Sequence, residues 1–273
     1  MLISVVSPLH IGVGRGVAIV DLPTSRDAFG YINIPSTSIR QTIRSLFSLR
    51  NHDKEEAIFG SRPESPSPQT GAFNVLDGVL LAIPVRTLYG IHALCSSEYC
   101  LMRLRDYLQL FKNLSKLCET VNSLLDLIKQ NRGSKVLIHS SVAETLAMNG
   151  KILANEEFLL DVVSNENIDS TISNFINEFV EALRLSNNEK EDVKKELNSR
   201  FIIITDSQIF KQVVERSIIR RFRIRLDYTL KRVEQGPWTE EEVPEKSLFV
   251  TVFLYSGTRG SERGLNASQV RNT

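Results

Sequence analysis

The sequence predicts an α+β fold built around an antiparallel sheet. Three observations carry this reading. Each end of the 273-residue chain reads as a strand, a helix and then two strands. A long helical stretch separates the two ends. The run RFRIRL at residues 221–226 alternates charged and apolar side chains, the period-two pattern of a strand with one exposed face. A βαββ order at both ends favours antiparallel pairing. No repeat with a period of about 20–50 residues interrupts this plan.

Taken in order, residues 2–7 read as a buried strand. Ser36, Thr37 or Ser38 is placed to cap a helix whose apolar stripe is Ile39, Ile43, Leu46 and Phe47. That spacing leaves Arg40 and Arg44 on another face. Residues 62–71, RPESPSPQTG, have loop composition. Residues 72–75 and 79–85 read as strands flanking Asp77-Gly78, a hairpin signal. Residues 99–113 and 121–130 look helical, and 135–161 hold short strand-like runs in an irregular insert. Amphipathic helices follow at 172–185 and 189–197, then the strand FIIIT at 201–205. Ser207 is placed to cap a helix running to Arg216. Residues 218–226 form a strand with Arg221, Arg223 and Arg225 on one face and Phe222, Ile224 and Leu226 on the other. A final strand spans 247–255.

Composition narrows the class. Hydrophobic residues at 42% and charged residues at 24% suit a globular chain large enough to bury a core. No apolar run reaches about 18 residues, so no membrane span is expected. The opening MLISVVSPLH lacks the basic region and cleavage site of a signal peptide. Three cysteines, Cys95, Cys100 and Cys118, argue against a disulfide framework or a zinc site and for a reducing, cytoplasmic setting. The net charge of +1 conceals an uneven distribution. Residues 211–232 hold eight Lys or Arg against two acids, and residues 155–200 hold eleven acids against five basic residues. The acidic stretch reads as a solvated face, whereas the basic ends are candidates for phosphate contact.

Residues 4–50 concentrate the chemistry. His10 ends the first strand and is followed by the alternating glycines Gly12, Gly14 and Gly16, with Arg15 among them. Glycines let a backbone approach a phosphate closely, and arginines pair with its oxygens. No helix opens inside this loop, so a dinucleotide fingerprint is excluded. His10 reads equally as a phosphate or ribose contact and as a strand-end histidine bonded to backbone. Asp21 is isolated in this basic, Gly-rich segment, on a turn constrained by Leu22-Pro23. Composition alone makes Asp21 a turn-forming acid. Asp27 follows Arg26 and reads as a second candidate acid or as a partner of that arginine.

The motifs PLHIGVGRG, VDLPTSRD, INIPSTSIRQTIR and IFGS, with RIRLDYTLKRVEQGPWTEEEVP at 223–244, resemble the RAMP superfamily of CRISPR effector subunits. Within it they are most like the repeated backbone subunits of type III-B Cmr complexes. The resemblance implies one RAMP domain over 1–273. Its modified ferredoxin-like, RRM-related palm would have halves at 1–98 and 200–273, with a mainly helical insert at 99–199 and a protruding thumb hairpin at 225–240. It implies that Asp21, the acid of the family's V-D-x-P motif, cleaves target RNA, with Asp27 beside it. It implies guide-RNA contacts from His10, Gly12, Gly14 and Arg15, and from Ser36, Ser38, Arg40 and Arg44 at a helix start, where amides and hydroxyls make an anion site. Arg225, Lys231 and Arg232 would add charge on the hairpin, and Leu230 and Val233 would wedge between bases.

The implied partners are a guide crRNA, a target RNA, further copies of the same chain stacked head-to-tail, and the other Cmr subunits: large, small and end-capping RAMP subunits. No membrane partner is implied. The implied cofactor is a divalent ion, Mg²⁺ or Mn²⁺, held weakly at Asp21, because one carboxylate makes no tight cage. Two other readings stay open: a guide-binding scaffold that does not cut, and an endoribonuclease that trims guide precursors. The latter class uses His or Lys, and the chain has four histidines: His10, His52, His92 and His139.

Overall fold

A computed structural model describes residues 1–14, 20–49, 54–61, 69–258 and 264–272. Arg15, Gly16, His52 and most of the loop expected at 62–71 lie outside the described residues. The first half of the chain forms β1 (Leu2–Ser4), β2 (Asn33–Ile34), α1 (Ser36–Ser48), α2 (Glu55–Phe59), β3 (Phe73–Val75), β4 (Gly78–Arg86), β5 (His92–Ser97), α3 (Glu98–Leu108) and α4 (Ser115–Gln130). There follow β6 (Lys135–Ile138), α5 (Ser140–Leu146), β7 (Lys151–Ala154), β8 (Phe158–Val163), α6 (Glu166–Ala182) and α7 (Asn187–Arg200). The chain then forms β9 (Phe201–Ile204), α8 (Ser207–Ser217), β10 (Ile219–Leu226), β11 (Val233–Glu242), β12 (Leu248–Val250), β13 (Phe253–Tyr255) and α9 (Ala267–Asn272). These elements divide into a larger unit, residues 2–32 and 79–250, and a smaller one, residues 1, 33–78 and 251–273.

In the larger unit, strands run in the order β1-β12-β4-β5-β9-β6-β8-β7. The sheet is mixed, not purely antiparallel: β5 pairs with β9, and β6 with β8, in parallel. The cause is the insert. Between β5 and β9 the chain makes helices α3 to α7 and returns beside β5, the long crossover that parallel pairing needs. The strand-like runs expected at 135–161 are β6, β7 and β8, which extend the sheet. β9, sequence FIII, is buried along its whole length, as a strand covered on both faces should be. Phe201 stacks on Phe175 of α6 at 5.6 Å between ring centroids. Burying each such side chain contributes about 1.5–3 kcal/mol.

Helix starts in this unit use side-chain caps. Asn165 caps α6, and Ser186 with Glu189 forms a capping box on α7. Asp206, not Ser207, caps α8, accepting from the amides of Gln208 and Ile209. The residue just before the expected cap does the work, and its carboxylate also suits the positive end of the helix dipole.

In the smaller unit, β3 pairs antiparallel with β13, so Asp77-Gly78 is not the turn of a hairpin. The strand expected over 247–255 is likewise two strands, β12 and β13, separated at Thr251-Val252. Phe59, Phe73 and Phe253 form an edge-on aromatic core with centroids 5.4 and 5.2 Å apart. Of the stripe expected on α1, Ile39 is buried while Leu46 stays exposed. None of the three serine or threonine residues caps α1. Its first amide, that of Ser36, donates instead to Asp77 Oδ1 at 2.7 Å.

Candidate active site at the foot of a hairpin

β10 and β11 form an antiparallel hairpin longer than the expected 225–240. The alternation read from the sequence is realised as a cross-strand ladder of charge. Arg221 reaches Glu242, Arg223 reaches Glu240 and Glu242, and Arg225 meets Glu234 at 3.0 Å. Opposite charges across a strand pair stabilise it modestly. The pairing also explains why so basic a segment needs no anion to hold it together. Phe222, Ile224 and Leu226 remain exposed. Gly236 sits at φ +110° beside the irregular register, where a Cβ would come within 2.9 Å of the Arg223 carbonyl oxygen.

At the foot of the hairpin, the N-terminal loop adds to the free edge of β11. Leu22 bridges Glu240 in parallel and Leu9 bridges Val243 antiparallel, while Gly12 and Thr24 bridge each other. The Leu22 amide donates to the Thr239 carbonyl at 3.0 Å, and the Glu241 amide donates to the Leu22 carbonyl at 3.0 Å. This addition places Asp21 opposite Thr239. The Thr239 amide and hydroxyl both donate to Asp21 Oδ2 at 2.8 Å, and the Asp21 amide donates to Thr239 Oγ1 at 2.9 Å. Asp21 is exposed, so an oriented carboxylate faces solvent.

His10 lies on the same strand foot, two β11 residues further on. Its Nδ1 is 2.8 Å from the Glu241 carbonyl oxygen, which only accepts, so Nδ1 carries the proton. The strand-end reading of His10 therefore holds for Nδ1, and Nε2 is left as the neutral ring's acceptor. Gly12 lies against that ring: a Cβ there would stand 2.8 Å from Nε2. Gly14 adopts φ +91° with open space around it. Beneath them, Glu241 is a buried anchor. Its carboxylate accepts from the Thr24 amide at 3.2 Å, from Arg26 at 3.3 Å and from Arg220 at 3.4 Å.

Asp27 does not share this role. Its Oδ1 accepts from the amides of Phe29 and Tyr31, and its Oδ2 accepts from the Tyr99 hydroxyl. Tyr99 in turn stacks on Tyr31 at 4.1 Å. Burial raises the Tyr31 phenol to about 12, with the charges of Cys100 and Asp27 adding to the shift. Burial likewise raises Tyr99, helped by its bond to Asp27. Asp27 thus clamps its own loop, and Arg26 pairs with Glu215 and Glu241 instead of with it.

The hairpin tip is closed by Asp227. Its amide donates to the Arg232 carbonyl, and its Oδ1 accepts from the amides of Thr229 and Leu230. Leu230 and Val233 are 59% and 53% exposed, as a wedge requires. Lys231, at φ +53°, lies over the Tyr228 ring at 4.5 Å, and Arg232 is exposed.

The helix-start candidates belong to the smaller unit, and three of them have partners within the fold. Arg40 donates to the carbonyls of Phe59 and Phe73, and burial with the neighbouring Arg44 charge lowers its pKa. Arg44 forms a buried pair with Glu55 at 2.7 Å. The Ser36 amide is taken by the Asp77 carboxylate, which holds the position an anion would need. The two guanidiniums brace α1 against α2 and β3 in place of standing on a solvated face. Ser38 is exposed on the first turn.

Sequence reasoning missed Thr239, Tyr99, Asp77 and Glu241. Only Asp227, placed before the tip as an Asp in a turn, carried a local signal. Among the described residues no group of three or more His, Cys, Asp or Glu is placed to hold a metal ion.

The mixed α+β scaffold is that of a known class. The RAMP superfamily profile matches residues 2–268, and the chain belongs to that superfamily. It is 32% identical over 270 residues to the CRISPR system CMR subunit Cmr4 of Saccharolobus solfataricus, covering 94% of this chain and 84% of that one. It is 27% identical over 253 residues to the CRISPR system Cmr endoribonuclease Cmr4 of Pyrococcus furiosus, covering 91% and 78%. Among solved structures, it superposes on a chain of the apo type III-B Cmr-beta complex with a TM-score of 0.68 at 24% identity, covering 96% of this chain and 84% of the other. An oligomeric Cmr4 from Pyrococcus furiosus gives 0.60 at 22% identity, covering 96% and 82%. The fold is therefore the one those subunits share. Among the described residues no helix is long and apolar enough to cross a membrane.

Proposed function

We propose that the chain is the repeated backbone subunit of a type III-B CRISPR effector complex, which binds crRNA and cuts complementary target RNA at regular intervals. The observation that carries this is the exposed Asp21 carboxylate fixed at the hairpin foot, in a chain whose Pyrococcus relative is named an endoribonuclease. In this reading β1, β12, β4, β5 and β9 belong to the palm halves at 1–98 and 200–273, β6, β7 and β8 to the insert at 99–199, and β10–β11 form the thumb. Copies stack head-to-tail, the arrangement that builds open filaments, and the other Cmr subunits cap and line them. Sequence reading is left to guide–target pairing, so the protein needs backbone contacts and no base code. We assign those contacts to His10 Nε2, Gly12, Gly14, Arg15, Ser38, Arg225, Lys231 and Arg232. Arg225 is available because its exposed pair with Glu234 is worth little. The working compartment is the cytoplasm.

In this mechanism Asp21 accepts the proton of a target ribose 2′-hydroxyl. The 2′-oxygen attacks the adjacent phosphorus, and the bond to the 5′-oxygen breaks, that oxygen taking a proton from water. The products are a 2′,3′-cyclic phosphate and a 5′-hydroxyl end. The apolar tip side chains Leu230 and Val233 of a neighbouring copy, whose hairpin reaches over this one, displace a base and give the in-line geometry that stacked RNA lacks. The described residues form no preformed metal cage, so the chain alone does not fit a resident ion. Asp21 would hold Mg²⁺ or Mn²⁺ only weakly, and the ion would supply charge to offset that of the phosphate. The test is a reconstituted complex with guide and labelled target. Periodic cuts are expected from the wild type and none from Asp21→Ala, with assembly and target binding intact. Wild-type cutting by Asp21→Ala would sink the assignment of Asp21 and move it to Asp27.

A further inference from the structure

We propose that Thr239 is the positioning residue for the cleavage acid, and that it sets the Asp21 carboxylate from the same strand that carries the hairpin. This rests on the reading of Asp21 as that acid. Thr239 grips Asp21 at two points of its backbone and side chain. Its hydroxyl accepts from the Asp21 amide at 2.9 Å and passes its own proton toward Asp21 Oδ2 at 2.8 Å. Its amide donates to the same Oδ2 at 2.8 Å. Its carbonyl accepts from the next amide of the loop, that of Leu22, at 3.0 Å. All of this residue's hydrogen-bonding groups are thus directed at the Asp21–Leu22 segment.

Two donors from one rigid residue fix a carboxylate more tightly than two donors from separate loops, because turning the side chain breaks both bonds together. Asp21 lies on an exposed loop, where an unsupported side chain would sample several rotamers. Thr239 is half-buried in a ladder, opposite Phe222 on β10, so its own position is fixed by strand pairing. A β-branched residue also holds one χ1 in a strand, which keeps the hydroxyl aimed. Serine preserves the hydroxyl and its bonds. Valine preserves the shape and removes the hydroxyl's two bonds, while the Thr239 amide still donates.

The experiment uses the assembled complex with guide, complementary target and Mg²⁺, and compares Thr239→Val, Thr239→Ser, Asp21→Asn and the Asp21→Asn/Thr239→Val pair. Single-turnover cleavage by Thr239→Val is expected to fall ~10–100-fold, the cost of loosening a reacting group by up to about 1 Å. Target affinity and filament length should stay within about twofold of wild type, because the lost interaction belongs to the chemical step. Thr239→Ser should restore most of the rate. The double variant should cut no more slowly than Asp21→Asn alone. Wild-type cutting by Thr239→Val, failure of serine to restore rate in a complex of normal affinity, or a further fall in the double variant would each overturn the proposal. If Asp21→Asn cuts normally, the acid assignment itself falls and this inference with it. If Asp21→Asn is dead while Thr239→Val is normal, only this inference falls. Rates are taken per assembled complex, so a folding defect in the valine variant is separated by the serine arm.

Discussion

Asp21 and Asp27 lie on one loop, and the protein treats them oppositely. Around Asp27 the chain turns inward, and both carboxylate oxygens are occupied by two amides and a tyrosine hydroxyl. Around Asp21 the chain runs as an added strand, and the residue stays exposed while its Oδ2 accepts both the amide and the hydroxyl of Thr239. The same contrast separates the arginines. Arg40 and Arg44 are spent on carbonyls and a buried glutamate, while Arg232 stays exposed at the hairpin tip. A charge satisfied by buried protein partners supports the fold, whereas a charge oriented but exposed is available to a ligand.

The sharpest test of this division is to neutralise each acid in turn. Asp21→Asn should slow target cleavage by at least ~100-fold, the usual contribution of a general base, with an unchanged melting temperature. Equal losses of cleavage for Asp21→Asn and Asp27→Asn, at equal stability, would erase the distinction. Next in size, Arg44→Ala removes a buried charge-assisted bond to Glu55 and should cost up to about 3 kcal/mol of stability. Guide binding by that variant should keep its salt slope; a fall of roughly 0.7–0.9 in the slope would make Arg44 a phosphate contact. Asp27→Asn should cost about 1–3 kcal/mol, read by urea unfolding, because a charge-assisted bond and a loop clamp are weakened. Its cleavage per folded complex should stay near wild type.

A smaller effect is expected at the tip. Leu230→Gly with Val233→Gly should slow single-turnover cleavage ~10-fold while weakening target binding far less, since the apolar pair serves geometry more than grip. Parallel losses would make the tip a clamp. The smallest effect is alkaline. Tyr31 titrates at about 12 in the fold against an ordinary 10.0, so the folded state keeps its proton longer than the unfolded chain. The stability this represents is whole below pH 10.0 and drains away as pH rises toward about 12. Unfolding followed against pH should show the decline, and Asp27→Asn, by removing a like charge, should narrow its window.

The sequence made faces legible and partners illegible. The alternation of residues 221–226 correctly placed the hairpin arginines on the strand, and FIII announced a strand buried on both sides. Nothing in either run says which strand lies alongside. β3 therefore paired with β13 and not with β4, and the sheet came out mixed once the insert returned β9 beside β5. The site divides in the same way. Asp21 was visible as an isolated acid before a proline and as a family motif. Thr239, 218 positions away, carries no local mark, because a strand threonine is ordinary until its neighbour is known. The partners of Arg40 and Arg44 were illegible for the related reason that helical spacing gives a face and not what covers it.

The hairpin is also a ruler. The acid is pinned at Thr239 and the apolar tip begins at Val233, so the gap is a fixed count of strand residues, about 20 Å at ~3.3 Å each. That length spans several nucleotides of an extended RNA strand. On the function proposed above, the tip of one copy therefore addresses a different nucleotide from the acid of the same copy, and acts beside the acid of its neighbour. Removing two residues from each arm would keep every side chain on its original face while shortening the gauge by about 7 Å. The offset between the two points of contact is written in strand length, and a cell could retune it without altering a single chemical group.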